Sequence, residues 1–250
     1  MAEQMGTNPL RGSIGNITYY KRNGKYLAKT KSSFNKKDPR NDLSSILPNK
    51  YRSEFGHCSS FGKLIRYSIS QFIKSSKDIN HCERLMSLLE NIVKTDKISA
   101  LGERRLYKAD LTLLKGFDFN LRSGLDNFLS AKYDITIDRS TGKFRLQIPP
   151  FEIQKELLIP KNAQFFKINL TATEIDSERD DKKNVDVNSG FIGVNDILSK
   201  DIDLSVSLGA GSLHPFIVTM NVQFFEEVNG ELLHMRGREH NPMQIVEVNQ

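Results

Sequence analysis

The sequence has few of the features that mark a specialised class of protein. It holds two cysteines in 250 residues, too few for a disulfide scaffold, and a chain of this length can bury a core without one. No apolar run approaches the roughly 18 residues that a membrane-spanning helix needs. These absences exclude a disulfide-framework protein and predict no membrane span.

The first eight residues also lack a targeting signal. They carry no positive charge and no apolar stretch, as a signal peptide would, and Met1-Ala2 does not offer the glycine needed for myristoylation. We therefore expect a cytoplasmic protein, or one released without a cleavable signal peptide.

The composition is typical of a globular protein, with 38% hydrophobic and 26% charged residues. The net charge of +6 conceals an asymmetry along the chain. Residues 1–115 carry 22 Lys and Arg against 10 Asp and Glu, a net +12, whereas residues 116–250 carry 14 against 20, a net −6. A basic half beside an acidic half predicts an acidic partner, which is either a second copy of this chain or a foreign protein or nucleic acid.

The N-terminal region predicts a β-hairpin followed by an arm. Residues 14–20 are rich in β-branched and aromatic types, Asn23-Gly24 is a typical hairpin turn, and residues 25–31 return as a second strand. Residues 32–48 are polar and basic with two prolines, the pattern of an extended segment. We assign residues 1–48 to a basic hairpin and extended arm.

Residues 49–116 predict a small helical unit. Apolar residues recur at spacings of three and four between Phe55 and Ile73, and again between Leu85 and Val93. Asn80 with Glu83 resembles a capping box at the start of the second helix. A weaker third helix is expected over residues 101–114, ended by Gly116.

From residue 117 onward the apolar period changes to two, which is typical of strands. Several short strands separated by turns, ending with a hairpin at Asn229-Gly230, predict an antiparallel β-sandwich over residues 117–250. The charged stretch 174–189 is expected to be an exposed loop. The predicted fold class is therefore α+β: an N-terminal β-hairpin and arm, a small helical unit and a C-terminal antiparallel β-sandwich.

Several segments carry a resemblance to a known family. Residues 12–21 follow the pattern Gly-x-Ile-Gly-Asn-Ile-x-x-Tyr-Lys, residues 54–56 read Glu-Phe-Gly, and residues 224–230 read Phe-Phe-x-Glu-Val-Asn-Gly. Together and in this order they resemble a protein family of Bacteroidetes genomes that has no established activity. The resemblance implies source and architecture, and it implies no cofactor, catalytic residue or partner.

Two His-Cys pairs are the nearest approach to a metal signal. His57-Cys58 and His81-Cys82 supply ligand types that zinc prefers. Neighbouring residues on a helix point about 100° apart, so one helix cannot readily give both members of a pair to one ion. We predict no metal site and no cofactor, and leave open whether Cys58 and Cys82 form a disulfide.

No catalytic motif stands out. There is no nucleophile-elbow pattern, and the glycine-rich residues 209–212 lack a Walker-type lysine. The acidic residues between 176 and 181 do not follow EF-hand spacing. We predict that the chain is not an enzyme, and keep as a third interpretation a hydrolase with a site in the sandwich near His214, His234 or His240.

The basic arm carries the strongest functional signal, because cations and aromatic rings alternate in it. The candidate partner- or nucleic-acid-binding residues are Arg11, Tyr19, Tyr20, Lys21, Arg22, Lys25, Tyr26, Lys29, Lys31, Lys36, Lys37 and Arg40.

The leading hypothesis is a non-enzymatic structural or assembly protein that forms a homo-oligomer or docks on an acidic protein. In it the hairpin adds its edge to a neighbour's sheet, and basic side chains set the orientation against acidic sandwich residues. The alternative is sequence-independent nucleic-acid binding through the same residues, where cations neutralise phosphates and aromatic rings stack on bases.

Overall fold

The computed structural model describes residues 2–4, 9–31, 46–237 and 239–250. The chain divides into two compact units, Met1–Ile46 and Leu47–Gln250. The predicted boundary after residue 48 falls close to this division, and the boundary predicted after residue 116 lies inside the second unit. None of the helices in the described ranges combines the length and the apolar character needed to cross a bilayer.

The first unit contains a four-stranded antiparallel sheet in the order β1-β4-β3-β2. Its strands are β1 (Ala2–Glu3), β2 (Gly12–Ile14), β3 (Ile17–Arg22) and β4 (Lys25–Thr30). The predicted hairpin is confirmed as β3 and β4. Asn23 and Gly24 join them with φ angles of 51° and 81°, the positive values that a two-residue hairpin turn requires and that Asn-Gly readily adopts.

The second unit begins with helices α1 (Ile46–Ser68), α2 (Ser70–Ser76) and α3 (His81–Val93). Pro48 lies in the first turn of α1, where its missing N–H would have no helical partner in any case. Asn80 is the residue before α3, as predicted, but its side chain makes no capping hydrogen bond. Two short helices, α4 (Leu125–Phe128) and α5 (Ile153–Glu156), follow later in the chain.

The third helix predicted over residues 101–114 is wrong. The structure has two short 3-10 segments there, Leu106–Lys108 and Leu111–Leu114. The Asp96 carboxylate accepts hydrogen bonds from the backbone N–H groups of Ile98, Ser99 and Arg105. These bonds offer the backbone an alternative to helical pairing, as short polar side chains commonly do.

Two antiparallel sheets form the rest of the second unit. The smaller has the order β10-β6-β5, and the larger has six strands with β11 and β7 at its centre. The ranges are β5 (Asp134–Asp138), β6 (Lys143–Ile148), β7 (Phe165–Asp176), β8 (Asp181–Asn188), β9 (Ile192–Gly193), β10 (Ile202–Ser207), β11 (Phe216–Val228), β12 (Glu231–His234) and β13 (Met243–Asn249). Strands β12 and β13 pair with one side of β11, whereas β8 and β9 pair with the far side of β7.

Both faces of the large sheet are buried, each in a separate core. Phe166 of β7 and Phe216 of β11 pack with Phe144 of β6 in the core between the two sheets. On the opposite face, Ile217 and Ile245 join the helices in a second core. The predicted α+β fold with a β-sandwich is confirmed, and the helices cover the outer face of its larger sheet.

The charged stretch 174–189 is not the exposed loop that its composition predicts. Strand β7 continues to Asp176, and β8 pairs with it from Asp181 onward. Val187 packs on the sandwich core while its neighbours remain in solvent. Edge strands tolerate such charge because one face and one side remain solvated.

The two glycines of α1 provide a test of how the helices pack. A Cβ at position 62 would lie 3.1 Å from Cδ1 of Leu89, which is fully buried, whereas a Cβ at position 56 would have no neighbour within 4 Å. We expect Gly56→Ala to raise the free energy of unfolding by about 0.5–1 kcal/mol through helix propensity. Gly62→Ala should lose this gain or lower the free energy of unfolding, because the new methyl group would have to displace the buried Leu89 side chain.

Denaturant unfolding of both variants, with the wild type alongside, measures this difference. Equal stabilisation by the two substitutions would contradict the described packing of α1 against α3.

Candidate functional site

The N-terminal sheet carries most of the predicted binding residues. Tyr19, Tyr20, Lys21 and Arg22 lie on β3, Lys25, Tyr26 and Lys29 lie on β4, and Arg11 and Lys31 flank the strands. Lys36, Lys37 and Arg40 lie outside the described residues. The strand register therefore decides how the side chains of this sheet are shared between its two faces.

One face of the sheet is mainly apolar. Directly paired residues share a face in an antiparallel sheet, and the register pairs Ile14 with Ile17 and Tyr19 with Ala28. Lys21 pairs with Tyr26 on this side, and its Nζ lies 5.0 Å from the centre of the Tyr26 ring. We call this side the apolar face; its apolar members are Ile14, Ile17, Tyr19, Tyr26 and Ala28, and Lys21 also lies on it.

The opposite side carries more charge, and we call it the cationic face, formed by Arg22, Lys25 and Lys29. Arg22 pairs with Lys25, and Nζ of Lys29 lies 5.7 Å from the centre of the Tyr20 ring. Lys25 also forms an ion pair of 3.4 Å with Glu3, the one acidic residue in the described part of the sheet. The sheet is thus amphipathic, with a positive side.

None of the described residues between 2 and 31 is buried. Even Ile14 and Ile17, on the apolar face, are 60% and 37% exposed. A sheet normally becomes stable by covering its apolar side with another layer. The apolar face therefore carries side chains of the kind that form a protein core, but within this chain they are not buried.

Short strands of the same chain occupy part of both edges of the hairpin. β1 pairs with β4 at Leu27 and Ala28, and β2 pairs with β3 from Ile17 to Tyr19. The N–H of Gln4 also donates to the carbonyl of Tyr26. Backbone groups along these stretches are consequently satisfied within the sheet.

The first His-Cys pair serves the packing of the helices. His57 Nε2 accepts a hydrogen bond of 3.1 Å from the N–H of Leu106, and burial, followed by the nearby Arg105 charge, lowers the pKa of His57. The buried Cys58 thiol donates to the carbonyl of Leu89. Burial, followed by the Glu90 and Glu54 carboxylates, raises the pKa of Cys58 to about 12.

The second pair lies at the start of α3. Cys82 is half-buried, and its Sγ lies 3.1 Å from Nε2 of His81. Both cysteines are free thiols, so Cys58 and Cys82 do not form a disulfide. Among the described residues, no group of three or more His, Cys, Asp or Glu side chains is arranged to hold a metal ion.

His214 lies beside a serine, but its ring does not face the hydroxyl. Ser212 Oγ donates to Oε1 of Glu174 at 2.5 Å and accepts from the backbone N–H of His214 at 3.1 Å. The His214 ring points instead to Asp176, with 3.5 Å between Nε2 and Oδ2. A serine relay would need the imidazole to accept the hydroxyl proton, and this geometry does not provide that contact.

The other two histidines have different surroundings. His234 is half-buried, and its Nε2 lies 3.0 Å from Oδ1 of Asn241. Burial lowers the pKa of His234, and the Asn241 bond opposes that effect. His240 lines a cavity of about 630 Å³, whereas His214 lines a separate cavity of about 110 Å³.

Sequence reasoning missed the larger cavity. Its lining comes from the α2–α3 connection, the residues after Phe119 and the β12–β13 connection. These three segments lie far apart in the chain and share no motif, so a search for local spacing has nothing to detect.

Comparison with known protein families, with characterised proteins and with solved structures finds no match. The resemblance to the Bacteroidetes family stays a prediction.

The two cysteines should differ in reactivity. Thiolate is the reactive form, and a thiol of pKa about 12 is ionised in only about one molecule in 10,000 at pH 8. We expect a thiol reagent at pH 8 to modify one cysteine per folded chain. Cys82→Ser should abolish this fast labelling, and Cys58→Ser should leave it unchanged. Fast labelling of two thiols in the native protein would contradict the assigned burial of Cys58.

Proposed function

We propose that this chain is a non-enzymatic assembly protein whose N-terminal sheet docks on a neighbouring copy. The observation that carries the proposal is the apolar face, whose isoleucine and tyrosine side chains are not buried. Burial of apolar area is the main driving force of protein association. In the proposed assembly a neighbouring copy covers this face, as a second layer normally covers the apolar side of a sheet.

Contact through a face agrees better with the strand pairing than addition of a strand at an edge. Strand β1 already pairs with some of the backbone groups at the edge of β4, and β2 pairs with some of those at the edge of β3. An incoming strand would have to displace them or extend beyond them. A surface laid across the apolar face leaves this pairing intact.

The β11–β12 hairpin offers a complementary surface for the docking partner. Val228 and Leu233 are large apolar side chains that are exposed on one face of it, and Leu232 is exposed on the other face. Glu231 shares the face of Val228 and Leu233, and Glu227 shares the face of Leu232. Both glutamates are exposed and have no ion pair within the described parts of the chain. The face with Val228 and Leu233 therefore combines exposed apolar side chains with the negative charge of Glu231, which suits a docking surface that is apolar and carries positive charge.

The distribution of charge supports the same pairing. Residues 1–46 carry nine Lys and Arg against three Asp and Glu, a net +6, whereas residues 116–250 have a net −6. Docking of one copy's sheet on another copy's hairpin uses two different surfaces, and a contact of this type builds rings or filaments. The proposed assembly is therefore head-to-tail.

Tyr19 and Tyr20 provide a matched pair of variants for this proposal. They are neighbours on β3, both are half-buried, and the register places them on opposite faces. We expect Tyr19→Ser to weaken self-association at least tenfold, because it removes an aromatic ring from the docking face. Tyr20→Ser should have little effect. Light scattering over a concentration series measures both.

A charge reversal tests the other side of the contact. Glu227→Lys with Glu231→Lys should also weaken association, and the loss should be largest at low salt. A wild-type chain that stays monomeric at all concentrations, or equal losses for Tyr19→Ser and Tyr20→Ser, would refute the proposal.

A second candidate is sequence-independent nucleic-acid binding, which the cationic face favours. Arg22, Lys25 and Lys29 lie together there with the Tyr20 ring. Three phosphate contacts predict that affinity for duplex DNA falls about 40-fold between 50 and 200 mM salt.

A gel-shift titration measures this fall in affinity. Replacing Arg22, Lys25 and Lys29 by Gln should remove the retention, while Lys21→Gln on the opposite face should leave most of it. No retention of DNA or RNA at 50 mM salt eliminates this candidate.

A further inference from the structure

The first two helices of the second unit expose charge of one sign only. Residues 46–77 contain six Lys and Arg and a single acidic residue, Glu54. Glu54 is buried, and its Oε1 accepts a hydrogen bond of 2.8 Å from the N–H of Gly102 and lies 3.3 Å from Nε of Arg104. The one negative charge of this segment is therefore already engaged and lies away from the solvent.

Three of the six cations recur at intervals of 11 residues. Arg52 and Lys63 lie on α1, and Lys74 lies on α2. Eleven residues make about three helical turns, so Arg52 and Lys63 lie on the same side of α1, about 16 Å apart along its axis. All three side chains are exposed, and none forms an ion pair with any described residue. We call these three residues the basic helix face.

Small residues lie between the first two cations. Gly56, Ser59 and Ser60 are on the solvent side of α1, and a Cβ at position 56 would have no neighbour within 4 Å. Tyr67, one turn beyond Lys63, is 57% exposed, and Nζ of Lys63 lies 5.4 Å from the centre of its ring. A partner can therefore come close to the backbone of α1 between the cations.

The neighbouring helix α3 carries two acidic residues, Glu83 and Glu90. Glu90 lines a groove with the buried Cys58, and Lys63, five residues on from Cys58, lies about 140° away from it around α1. Glu83 is exposed at the start of α3. Even with Glu83 counted, the three cations leave this side of the helices positive.

The pattern favours duplex DNA as the partner. Cations placed at intervals along a rigid helix match a partner whose negative charge repeats along a line, and a phosphate backbone has this property. Serine hydroxyls such as those of Ser59 and Ser60 also donate to phosphate oxygens. Single-strand binding relies on several aromatic rings for base stacking, whereas this side of α1 exposes only Tyr67 among its described aromatic residues near Lys63.

The form of the duplex follows from the shape of the face. The major groove of B-form DNA is about 12 Å wide and admits an α-helix, whereas the corresponding groove of A-form RNA is deep and narrow. A helix with small residues between its cations suits the wider groove.

We propose that the basic helix face binds the phosphate backbone of duplex DNA without regard to its sequence. Arg52, Lys63 and Lys74 contact phosphates, and Gly56 lets α1 lie close to the duplex. This surface is distinct from the cationic face of the N-terminal sheet, and the proposal does not rest on the proposed assembly.

A salt titration of the full chain with a short duplex DNA, followed by fluorescence anisotropy, tests the proposal. Three phosphate contacts predict a slope of about −2.7 when the logarithm of the binding constant is plotted against the logarithm of the salt concentration. Arg52→Gln, Lys63→Gln and Lys74→Gln together should flatten this slope and weaken binding at low salt by about tenfold or more. Because the three side chains are exposed, the unfolding midpoint should match that of the wild type.

A matched control removes the same amount of charge elsewhere in the second unit. Lys50, Lys94 and Lys108 are exposed lysines. Lys94 lines the groove beside Cys58, and Lys50 lines a cavity beside Gly102. Lys50→Gln, Lys94→Gln and Lys108→Gln together should leave most of the affinity and the slope unchanged.

Four results would overturn the proposal: no binding of duplex DNA at low salt, equal losses in the two triple variants, equal or tighter binding of duplex RNA, or equal or tighter binding of single-stranded DNA. Binding that survives replacement of Arg22, Lys25 and Lys29 by Gln, but is lost in the variant of the basic helix face, would separate this surface from the N-terminal sheet. The reverse result would refute it. Loss of self-association without loss of DNA binding would instead assign the face to an acidic surface of a second copy.

Discussion

The pairing of β7 with β11 is the interaction on which the rest of the second unit depends. Ten residue pairs join these strands, from Phe216 with Glu174 to Phe225 with Phe165. Side chains on one face of the pair fill the core of the sandwich, and Ile175 and Ile217 on the other face belong to the helical core. Both cores therefore share one two-stranded wall. This wall also anchors the cavity, since Asn221 of β11 bonds to Ser76 at the end of α2 and to the carbonyl of Pro242.

The two units differ in what stabilises them. The second unit holds fully buried phenylalanines in both cores, such as Phe61 and Phe166. The N-terminal sheet relies on local pairing, a tight turn and contacts between lysines and tyrosines, which contribute only about 0.5–1 kcal/mol each at exposed sites. A second layer would supply what the sheet lacks, and this difference is the physical basis for proposing that a neighbouring copy covers it.

Much of the fold was predictable because it follows from local periodicity. The period of two after residue 117 and the Asn23-Gly24 turn both depend on backbone geometry within a few residues, and the strands and the hairpin that they predict were confirmed. The prediction of a helix over residues 101–114 was wrong, because the Asp96 carboxylate accepts hydrogen bonds from the backbone N–H groups of Ser99 and Arg105. The β8 strand was missed because its charge hides the alternation of Val187 with polar neighbours. The two faces of the N-terminal sheet follow from the period of two, but the cavity depends on loops that only tertiary contacts bring together.

The two-core arrangement also bears on how the chain is made. The helices of the second unit come before β11 and β13 in the sequence, yet Ile217, Met243 and Ile245 of those strands cover them. During synthesis from the N-terminus, the apolar sides of α1 and α3 emerge while their covering sheet is still unmade. Exposed apolar surface of this kind is prone to aggregation and is a target for chaperones. The helical layer is thus synthesised before the strands that complete its packing.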